Sequence, residues 1–261
     1  MSSQSDRQAI IINTLRHRGA AGINELAEQL SVSHMTVRRD VEELIAKGRV
    51  NRYHGGVRLA EHEPRSSYDL RTAELEHRNE KRLIAQRAAS LIEHGDTLFF
   101  DAGTTTEMIA RLLPENQDIT VVSTALNIIN IAAATPGVRI IATGGLFFDS
   151  SGVFDAPEAI ELLSRTRITK AFISANAIQM ELGVTCSHQF EVACKRAAMR
   201  SSLFKILVVD SSKLGHVVSA HFADLADFDR VIVDRPTDQN LLAQCRDSEI
   251  CFDFVSPLTP L

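Results

Sequence analysis

Seven short apolar runs in the second, larger part of this 261-residue chain constrain its fold more than any other feature. The runs occupy residues 98–100, 119–122, 138–142, 171–173, 206–209, 231–233 and 250–254. Segments with the apolar spacing of helices separate them. Strands that alternate with helices form parallel sheets, and strands buried on both faces are continuously apolar. The pattern therefore predicts an α/β domain with a largely parallel sheet.

Small and polar residues follow five of these runs, where the predicted strands end. They are Asp101, Gly103, Thr104, Thr105 and Thr106 after the first run, Ser123 and Thr124 after the second, Gly144 and Gly145 after the third, Ser174 and Asn176 after the fourth, and Asp210 and Lys213 after the fifth. In open α/β sheets, ligands bind outside the carboxyl ends of the strands. A helix that starts after Thr104 would direct free N–H groups at an anion, and Lys213 would add a positive charge. Each residue alone has an ordinary loop interpretation, but the recurrence at five strand ends favours a ligand site.

One helical segment holds two further candidates for that site. Glu191 and Lys195 lie four positions apart, so they share one face of a helix. Two interpretations stay open, a surface ion pair or a pair of side chains at the rim of the pocket.

The first sixty residues have the pattern of a helix-turn-helix. A stripe at positions 10, 11, 14 and 15 predicts a first helix that ends near Gly19, and positions 23, 26, 27 and 30 predict a second. The turn S-V-S makes Ser33 the expected N-cap of a third helix, which Gly48 would end. Two short helices joined by so tight a turn form the helix-turn-helix motif.

The outward face of the third helix carries candidate DNA contacts. Its buried stripe is expected to be Val37, Val41 and Leu44, which leaves the N-terminal half exposed. That half holds Ser33, His34, Met35, Thr36, Arg38 and Arg39. In this motif it is the part that enters the major groove, where arginine can bind guanine. An exposed pair of arginines is also common on a solvated helix, so the neighbouring turn and cap are what favour DNA binding.

The segment 49–59 predicts a β-hairpin that turns at Gly55 and Gly56. Such a hairpin would form the wing of a winged helix-turn-helix. Arg52, His54 and Arg58 would reach the DNA backbone or the minor groove from it.

Charge divides the chain in the same way. Residues 1–60 hold nine Lys or Arg against six Asp or Glu, a net +3, whereas the remainder has a net charge of −8. A basic N-terminal part joined to an acidic remainder indicates that the N-terminal part binds a polyanion. We expect a DNA-binding domain over 1–60, a linker over 61–79 and an α/β domain over 80–261, with the boundary in a polar segment of low apolar periodicity.

Several classes of protein are disfavoured. No apolar run is long enough to span a bilayer, and the N-terminus lacks an apolar signal segment, so a cytoplasmic protein without a membrane partner is expected. The four cysteines form no C-x-x-C pair, so no zinc site, other metal or cofactor is expected.

Several segments together resemble the DeoR family of bacterial transcriptional regulators. They include I-N-E-L-A-E-Q-L-S-V-S-H-M-T-V-R-R-D at 23–40, E-K-R-L-I-A at 80–85, D-A-G-T-T-T at 101–106, T-G-G at 143–145, E-V-A-C-K-R-A at 191–197 and V-V-D-S-S-K-L-G at 208–215. The chain departs from the common family pattern at Phe154, where a glycine is expected, and at Ser123-Thr124, where Thr-Asn is frequent.

The resemblance implies a winged helix-turn-helix followed by a sensor domain related to ribose-phosphate isomerases and CoA transferases. It implies double-stranded operator DNA as a partner, a phosphorylated sugar as effector and repression of carbohydrate catabolism. The pocket would be lined by Asp101, Gly103, Thr104, Thr105, Gly144, Gly145, Glu191, Asp210 and Lys213. The segments T-L-F-F-D-A-G-T-T-T and G-V-T-C resemble those of family members that repress deoxyribonucleoside operons, so deoxyribose 5-phosphate is one candidate effector.

One alternative function is a phosphosugar isomerase-like enzyme that carries a DNA-binding domain. Asp101, Glu191 or Lys213 would then serve as the acid or base. An isomerase needs no helix-turn-helix, so a regulator is the favoured hypothesis. One winged domain contacts little DNA, so a homodimer or a larger homo-oligomer is expected.

Overall fold

The computed structural model describes residues 4–18, 20–46, 49–53, 56–59, 73, 76–236 and 238–256. The chain divides into two compact units, Met1–Ser67 and Tyr68–Leu261. Within the described residues, no helix is long and apolar enough to cross a membrane.

The first unit packs three helices against a small antiparallel sheet. The helices are α1 (Gln4–Arg18), α2 (Ile23–Leu30) and α3 (His34–Ala46), and the strands are β1 (Ala20–Ala21), β2 (Val50–Tyr53) and β3 (Gly56–Leu59) in the order β1-β3-β2. Strands β2 and β3 pair as the predicted hairpin, with Tyr53 opposite Gly56. A side chain at Gly56 would lie 2.3 Å from the carbonyl oxygen of Ala21, so glycine is required where β3 crosses β1.

The core of this unit follows the predicted stripes with one correction. Val37, Val41 and Leu44 are buried as expected. Ile10, placed in the stripe of α1, is instead 39% exposed, and Ile12 is buried in its place. Ile11, Thr14 and Leu15 are buried as expected, so the stripe of α1 is rotated by less than one residue from its expected position. Gly19, Gly48 and Gly55 lie outside the described residues.

The second unit is an α/β domain. Its helices are α4 (Arg78–Ala89), α5 (Thr104–Ala110), α6 (Leu126–Ala134), α7 (Pro157–Arg165), α8 (Glu191–Arg200) and α9 (Gln239–Asp247). Its strands are β4 (Thr97–Phe100), β5 (Thr120–Ser123), β6 (Arg139–Ala142), β7 (Leu146–Phe148), β8 (Val153–Asp155), β9 (Ile168–Ile173), β10 (Ala177–Gln179), β11 (Gly183–Cys186), β12 (Ser202–Val208), β13 (Ala220–Ala223), β14 (Arg230–Asp234) and β15 (Phe252–Val255).

All seven predicted apolar runs are strands of one parallel sheet, in the order β15-β14-β12-β9-β4-β5-β6. Neighbouring residues of a strand face opposite layers. Phe99 packs into the layer that contains Leu163 of α7 and Ala197 of α8. Phe100 packs into the opposite layer with Ile84 of α4, and its ring stacks on Phe172 with centroids 5.1 Å apart. The predicted fold class is confirmed.

Two small antiparallel sheets were not predicted. Strands β7 and β8 form a hairpin, and β10, β11 and β13 form a three-stranded sheet. Most of these strands are three or four residues long, and Leu146 and Phe147 in β7 are exposed. A strand this short gives too few residues for an alternating pattern to be distinguished from a loop.

Candidate functional site

The start of α3 is fixed by a capping side chain. The hydroxyl oxygen of Ser33 accepts a hydrogen bond from the backbone N–H of Thr36 at 3.2 Å, and the hydroxyls of the two residues lie 2.9 Å apart. Ser33 therefore has the geometry of the predicted N-cap. The Thr36 hydroxyl is directed towards Ser33, whereas the side chains next to Thr36 in sequence at His34, Met35 and Arg38 are exposed.

The predicted outward face of α3 is solvent-exposed. His34, Arg38 and Arg39 are exposed, and Met35 is 72% exposed, which is unusual for a large apolar side chain. Neither arginine has an ion-pair partner within the described part of the chain. The four exposed side chains combine positive charge with an apolar group.

Two ion pairs hold α3 against its neighbours. The Arg7 guanidinium of α1 donates to both carboxylate oxygens of Asp40, at 2.7 and 3.1 Å, and Asp40 is buried. Arg52 of β2 donates to Glu42 at 3.1 Å on the surface. Arg52, a predicted DNA contact, is thus engaged with α3. The side chain of Arg58 and all of His54, the other predicted wing contacts, lie outside what the structure describes.

In the second unit, three adjacent strands bring their carboxyl ends together. Because β12, β9 and β4 are parallel neighbours, Asp210, Ser174 and Asp101 follow them at the same edge of the sheet. Two small cavities lie there, separated by Ala102 and Glu191, which line both.

The first, here called the lysine cavity, has a volume of about 30 Å³. Its polar lining comprises Lys81, Gly103, Thr104, Thr105, Ser174, Asn176, Glu191, Asp210 and Lys213. Thr104 and Thr105 open α5, so their backbone N–H groups have no acceptor within the helix. Two lysines and two threonines therefore surround a space with room for about two water molecules.

The turn that carries Lys213 is held by two aspartates. Asp210 accepts hydrogen bonds from the backbone N–H and the hydroxyl of Ser212. Asp234, at the end of β14, accepts from the N–H and the hydroxyl of Ser211, at 2.6 and 2.7 Å. Lys213 is half-buried, and its ammonium group has no hydrogen-bond acceptor among the described residues. Its ammonium group is thus positioned by the turn rather than by a partner.

Lys81, on α4, is 3% exposed, and its ammonium group donates to the backbone carbonyl of Ala73 at 2.7 Å. Burial lowers the pKa of Lys81, and the negative charge of Asp210 opposes that shift. An anion in the lysine cavity would favour the charged form.

The second, here called the carboxylate cavity, has a volume of about 10 Å³ and contains a buried ion pair. Lys195 of α8 is 2% exposed and donates to the carboxylate of Asp101. The same Asp101 oxygen accepts from the backbone N–H and the hydroxyl of Ser174, both at 2.9 Å. Although burial acts in the opposite direction, Asp101 and Glu191 raise the pKa of Lys195. Lys195 is therefore a charged, buried partner of Asp101.

Glu191 connects the two cavities. Its carboxylate lies 3.6 Å from the Lys195 ammonium group, one helical turn away. Burial raises the pKa of Glu191, with Lys195 acting against that shift and Asp101 adding to it. Glu191 therefore places a carboxyl group on the wall that the two cavities share.

The structure brings together most of the predicted pocket residues but not all of them. Gly103, Thr104, Thr105, Glu191, Asp210 and Lys213 line the lysine cavity, and Asp101, Thr124, Glu191 and Lys195 line the carboxylate cavity. Phe154, the departure from the family pattern, lines the carboxylate cavity and packs on Phe147 with ring centroids 5.3 Å apart.

Four predicted residues, Thr106, Ser123, Gly144 and Gly145, line neither cavity. The hydroxyl of Thr106 donates to the carbonyl of Gly103 at 2.8 Å, and that of Ser123 donates to the carbonyl of Phe100 at 2.8 Å. Gly144 and Gly145 follow β6, two strands from β4, and line neither cavity. A side chain at Gly145 (φ +122°) would lie 2.4 Å from the carbonyl oxygen of Asp155, so this glycine permits the β7–β8 hairpin to close.

Sequence reasoning missed Lys81 and took Lys195 only as a possible rim residue. Lys81 stands near the start of a helix, where a lysine is ordinarily solvated. Its position two residues before the L-I-A segment, next to the exposed Arg82, gave no indication that it turns inwards. Across the residues described, no group of three or more His, Cys, Asp or Glu side chains has the arrangement of a metal site.

Comparison with known proteins follows the same division of the chain. Residues 7–63 match the DeoR-like helix-turn-helix domain, and residues 76–235 match the DeoR C terminal sensor domain. The lactose phosphotransferase system repressor of Staphylococcus epidermidis is 35% identical over 234 residues, which cover 88% of this chain and 91% of that protein. The glycerol-3-phosphate regulon repressor of Escherichia coli is 30% identical over 252 residues, which cover 95% of this chain and 97% of that protein.

A more distant similarity is structural. Ribose 5-phosphate isomerase A from Methanocaldococcus jannaschii aligns with a TM-score of 0.40 at 14% identity, over 53% of this chain and 55% of that one. At that score the similarity carries no functional information.

Proposed function

The chain belongs to the DeoR family of DNA-binding transcriptional regulators, and from that premise we propose that it represses a carbohydrate catabolic operon and that a phosphorylated sugar modulates its binding to operator DNA. The repressors named above act in lactose and glycerol 3-phosphate regulation, which supports a sugar-related operon as the target.

We propose that α3 enters the major groove. Its exposed N-terminal half presents His34, Met35, Arg38 and Arg39, and its inward half is fixed by the Asp40–Arg7 pair. Arginine donates two parallel hydrogen bonds to guanine, and an apolar side chain can contact the thymine methyl group. A single domain of this size covers little DNA, so the proposal includes a homodimer or a larger homo-oligomer on a repeated operator.

The observation that carries the effector proposal is the pair of lysines, Lys81 and Lys213, that line one cavity with Thr104 and Thr105. Lys213 has no acceptor among the described residues, and Lys81 has a neutral carbonyl. A phosphate group would supply both ammonium groups with charged acceptors, which form stronger hydrogen bonds than neutral ones. A neutral sugar would leave them without a charged partner, so the phosphate is expected to determine binding.

We propose a sensor rather than an enzyme. Of the groups considered as the acid or base, Asp101 is held by Ser174 and by the Lys195 ammonium group. A carboxylate so engaged is a poor base, because proton transfer to it would break a buried ion pair. Glu191 and Lys213 then remain as binding groups for the sugar and its phosphate.

A thermal-shift titration tests the effector proposal. Sugar phosphates, among them deoxyribose 5-phosphate, would be compared with their unphosphorylated sugars, since a ligand that binds the folded state raises the melting temperature. Lys213→Met should abolish the response to the phosphorylated form. Lys205→Met, which removes a lysine in the middle of β12 that pairs with Asp229 and lines neither cavity, should retain it. Equal shifts with a sugar and its phosphate would refute the role assigned to the phosphate.

Operator binding is tested separately. Sites selected from random DNA would be used in gel-shift titrations with and without the sugar phosphate that gives the largest thermal shift. A repressor under effector control should change its operator affinity by about 5–150-fold, and the operator should change effector affinity by the same factor. Turnover of the sugar phosphate, followed by NMR, would instead support the isomerase alternative.

A further inference from the structure

Lys81 is joined to a part of the chain that precedes the sensor domain. Its ammonium group donates to the carbonyl oxygen of Ala73 at 2.7 Å, and the backbone N–H of Glu76 donates to the same oxygen at 3.3 Å. The family match of the sensor domain begins at residue 76, and that of the helix-turn-helix ends at residue 63. Ala73 thus lies in the segment that connects the two domains in sequence.

Ala73 also lines the lysine cavity, together with Gly103, Thr104, Asp210 and Lys213. The cavity volume is about 30 Å³, whereas a sugar phosphate occupies a pocket several times larger. A ligand of that size would displace a lining residue. Among the described residues, Ala73 is held at the cavity by the hydrogen bonds from the Lys81 ammonium group and from the Glu76 N–H.

That hydrogen bond uses a lysine which an anion would also bind. Lys81 is buried on α4, and its acceptor in the described structure is a neutral carbonyl. A phosphate oxygen is a stronger acceptor for an ammonium group than a peptide carbonyl. An anion in the cavity and the Ala73 carbonyl therefore compete for one buried donor.

We propose that Lys81 is a phosphate ligand of the lysine cavity and that its transfer from the Ala73 carbonyl to the phosphate releases Ala73, so that Lys81 transmits occupancy of the cavity to the stretch of sequence between the two family matches. This inference rests on the proposed function, because it assigns the regulation of the same effector site. It predicts that a ligand shifts an equilibrium between an attached and a released Ala73. An anion that bound without breaking the hydrogen bond from Lys81 to the Ala73 carbonyl would bind the two states with equal affinity.

Hydrogen–deuterium exchange of the full-length protein tests the attachment directly. Loss of the Lys81 bond should accelerate exchange of the Glu76 amide, followed in peptides that cover residues 73–80, by roughly 2–12-fold, the range expected for one hydrogen bond. Lys81→Met should show this acceleration without any ligand. Arg82→Met, which removes an exposed charge at the next position of the same helix, should exchange as wild type does. A Lys81→Met protein with wild-type exchange at Glu76 would overturn the proposal.

Inorganic phosphate serves as the probe in wild-type protein, so the test does not depend on a variant that folds. Phosphate should accelerate exchange at Glu76 and slow it at Thr104 and Thr105, relative to potassium chloride at the same ionic strength. In Lys81→Met it should produce no further acceleration. Protection of the threonines with unchanged exchange at Glu76 would contradict the competition between the carbonyl and the anion.

The outcomes separate this inference from the proposed function. Sugar-phosphate binding in the thermal-shift titration with unaltered exchange at Glu76 would leave the effector proposal standing and overturn the role of Lys81 in transmission. Accelerated exchange with Lys81→Met and with phosphate, together with no response to any sugar phosphate, would support the attachment and contradict the effector proposal.

Discussion

Replacement of Lys195 by methionine should destabilise the sensor domain strongly, because it leaves the Asp101 carboxylate buried without its counter-charge. Both side chains are nearly inaccessible, and after the substitution Asp101 retains only the two hydrogen bonds from Ser174. Removal of one member of a buried ion pair costs about 3–5 kcal/mol of unfolding free energy. Methionine has a similar length, so lost packing should contribute little.

Chemical denaturation at pH 7 measures that cost, and thermal unfolding gives a second estimate. For a domain of this size, about 3–5 kcal/mol corresponds to a melting temperature lower by roughly 6–20 °C. Lys205→Met is the matched control, since its ion pair with Asp229 lies at the surface, where such pairs contribute about 0–1 kcal/mol.

The double variant Lys195→Met/Asp101→Asn isolates the electrostatic origin of the effect. If the uncompensated charge is the cause, removing that charge as well should recover about 0.5–3 kcal/mol. In the wild type, the charges of Asp101 and Glu191 outweigh burial and raise the Lys195 pKa above its ordinary 10.5. The stabilisation that the charged Lys195 contributes is therefore complete below pH 10.5 and is lost as the pH rises above that value. A deficit under about 1 kcal/mol, or one that the second substitution leaves unchanged, would refute this reasoning.

Four further predictions concern single side chains. Arg39→Ala should weaken operator binding by about 1–3 kcal/mol if Arg39 contacts a base, or reduce the salt slope by about one if it contacts a phosphate; an unchanged footprint and salt slope would exclude both. Lys213→Met should weaken sugar-phosphate binding by about 10–150-fold in calorimetry, the range for a hydrogen bond to a charged group, and a smaller loss would remove Lys213 from the site. Because burial raises the Glu191 pKa above its ordinary 4.5, wild-type stability should fall relative to Glu191→Gln as the pH rises above 4.5, and parallel pH profiles would contradict the shift. Ser33→Ala should cost about 1 kcal/mol of unfolding free energy while Ser33→Asp, which can still cap α3, should not, and equal losses would argue against capping.

The elements that the sequence predicts well are those whose side chains have one kind of surroundings. Strand β4 lies in the middle of the sheet and is covered on both faces, so its residues are continuously apolar. Val37, Val41 and Leu44 of α3 meet a single core, so they repeat with the helical period. Burial imposes both patterns directly. Each pattern therefore allows the type of element and its buried residues to be predicted from the sequence.

The side chains that were missed depend on contacts between distant parts of the chain. Asp40 is buried because Arg7, 33 residues earlier, supplies two donors. Lys195 is buried because Asp101, 94 residues earlier, meets it. A charged residue is exposed unless such a partner exists, and no local pattern identifies the partner. Gly145 illustrates the reverse case, since its place after a strand suggested a ligand although a carbonyl of the facing strand accounts for it.

The small volume of the lysine cavity has a consequence for the speed of the response. The proposed effector, a sugar phosphate, is larger than a space of about 30 Å³, so its binding would require the lining residues to move apart. Association that requires such a step is slower than ordinary protein–ligand encounter. In stopped-flow mixing, the observed rate should then level off at high sugar-phosphate concentration, at the rate of opening, instead of rising in proportion. Brief fluctuations in metabolite level, shorter than the opening time, would pass without altering transcription.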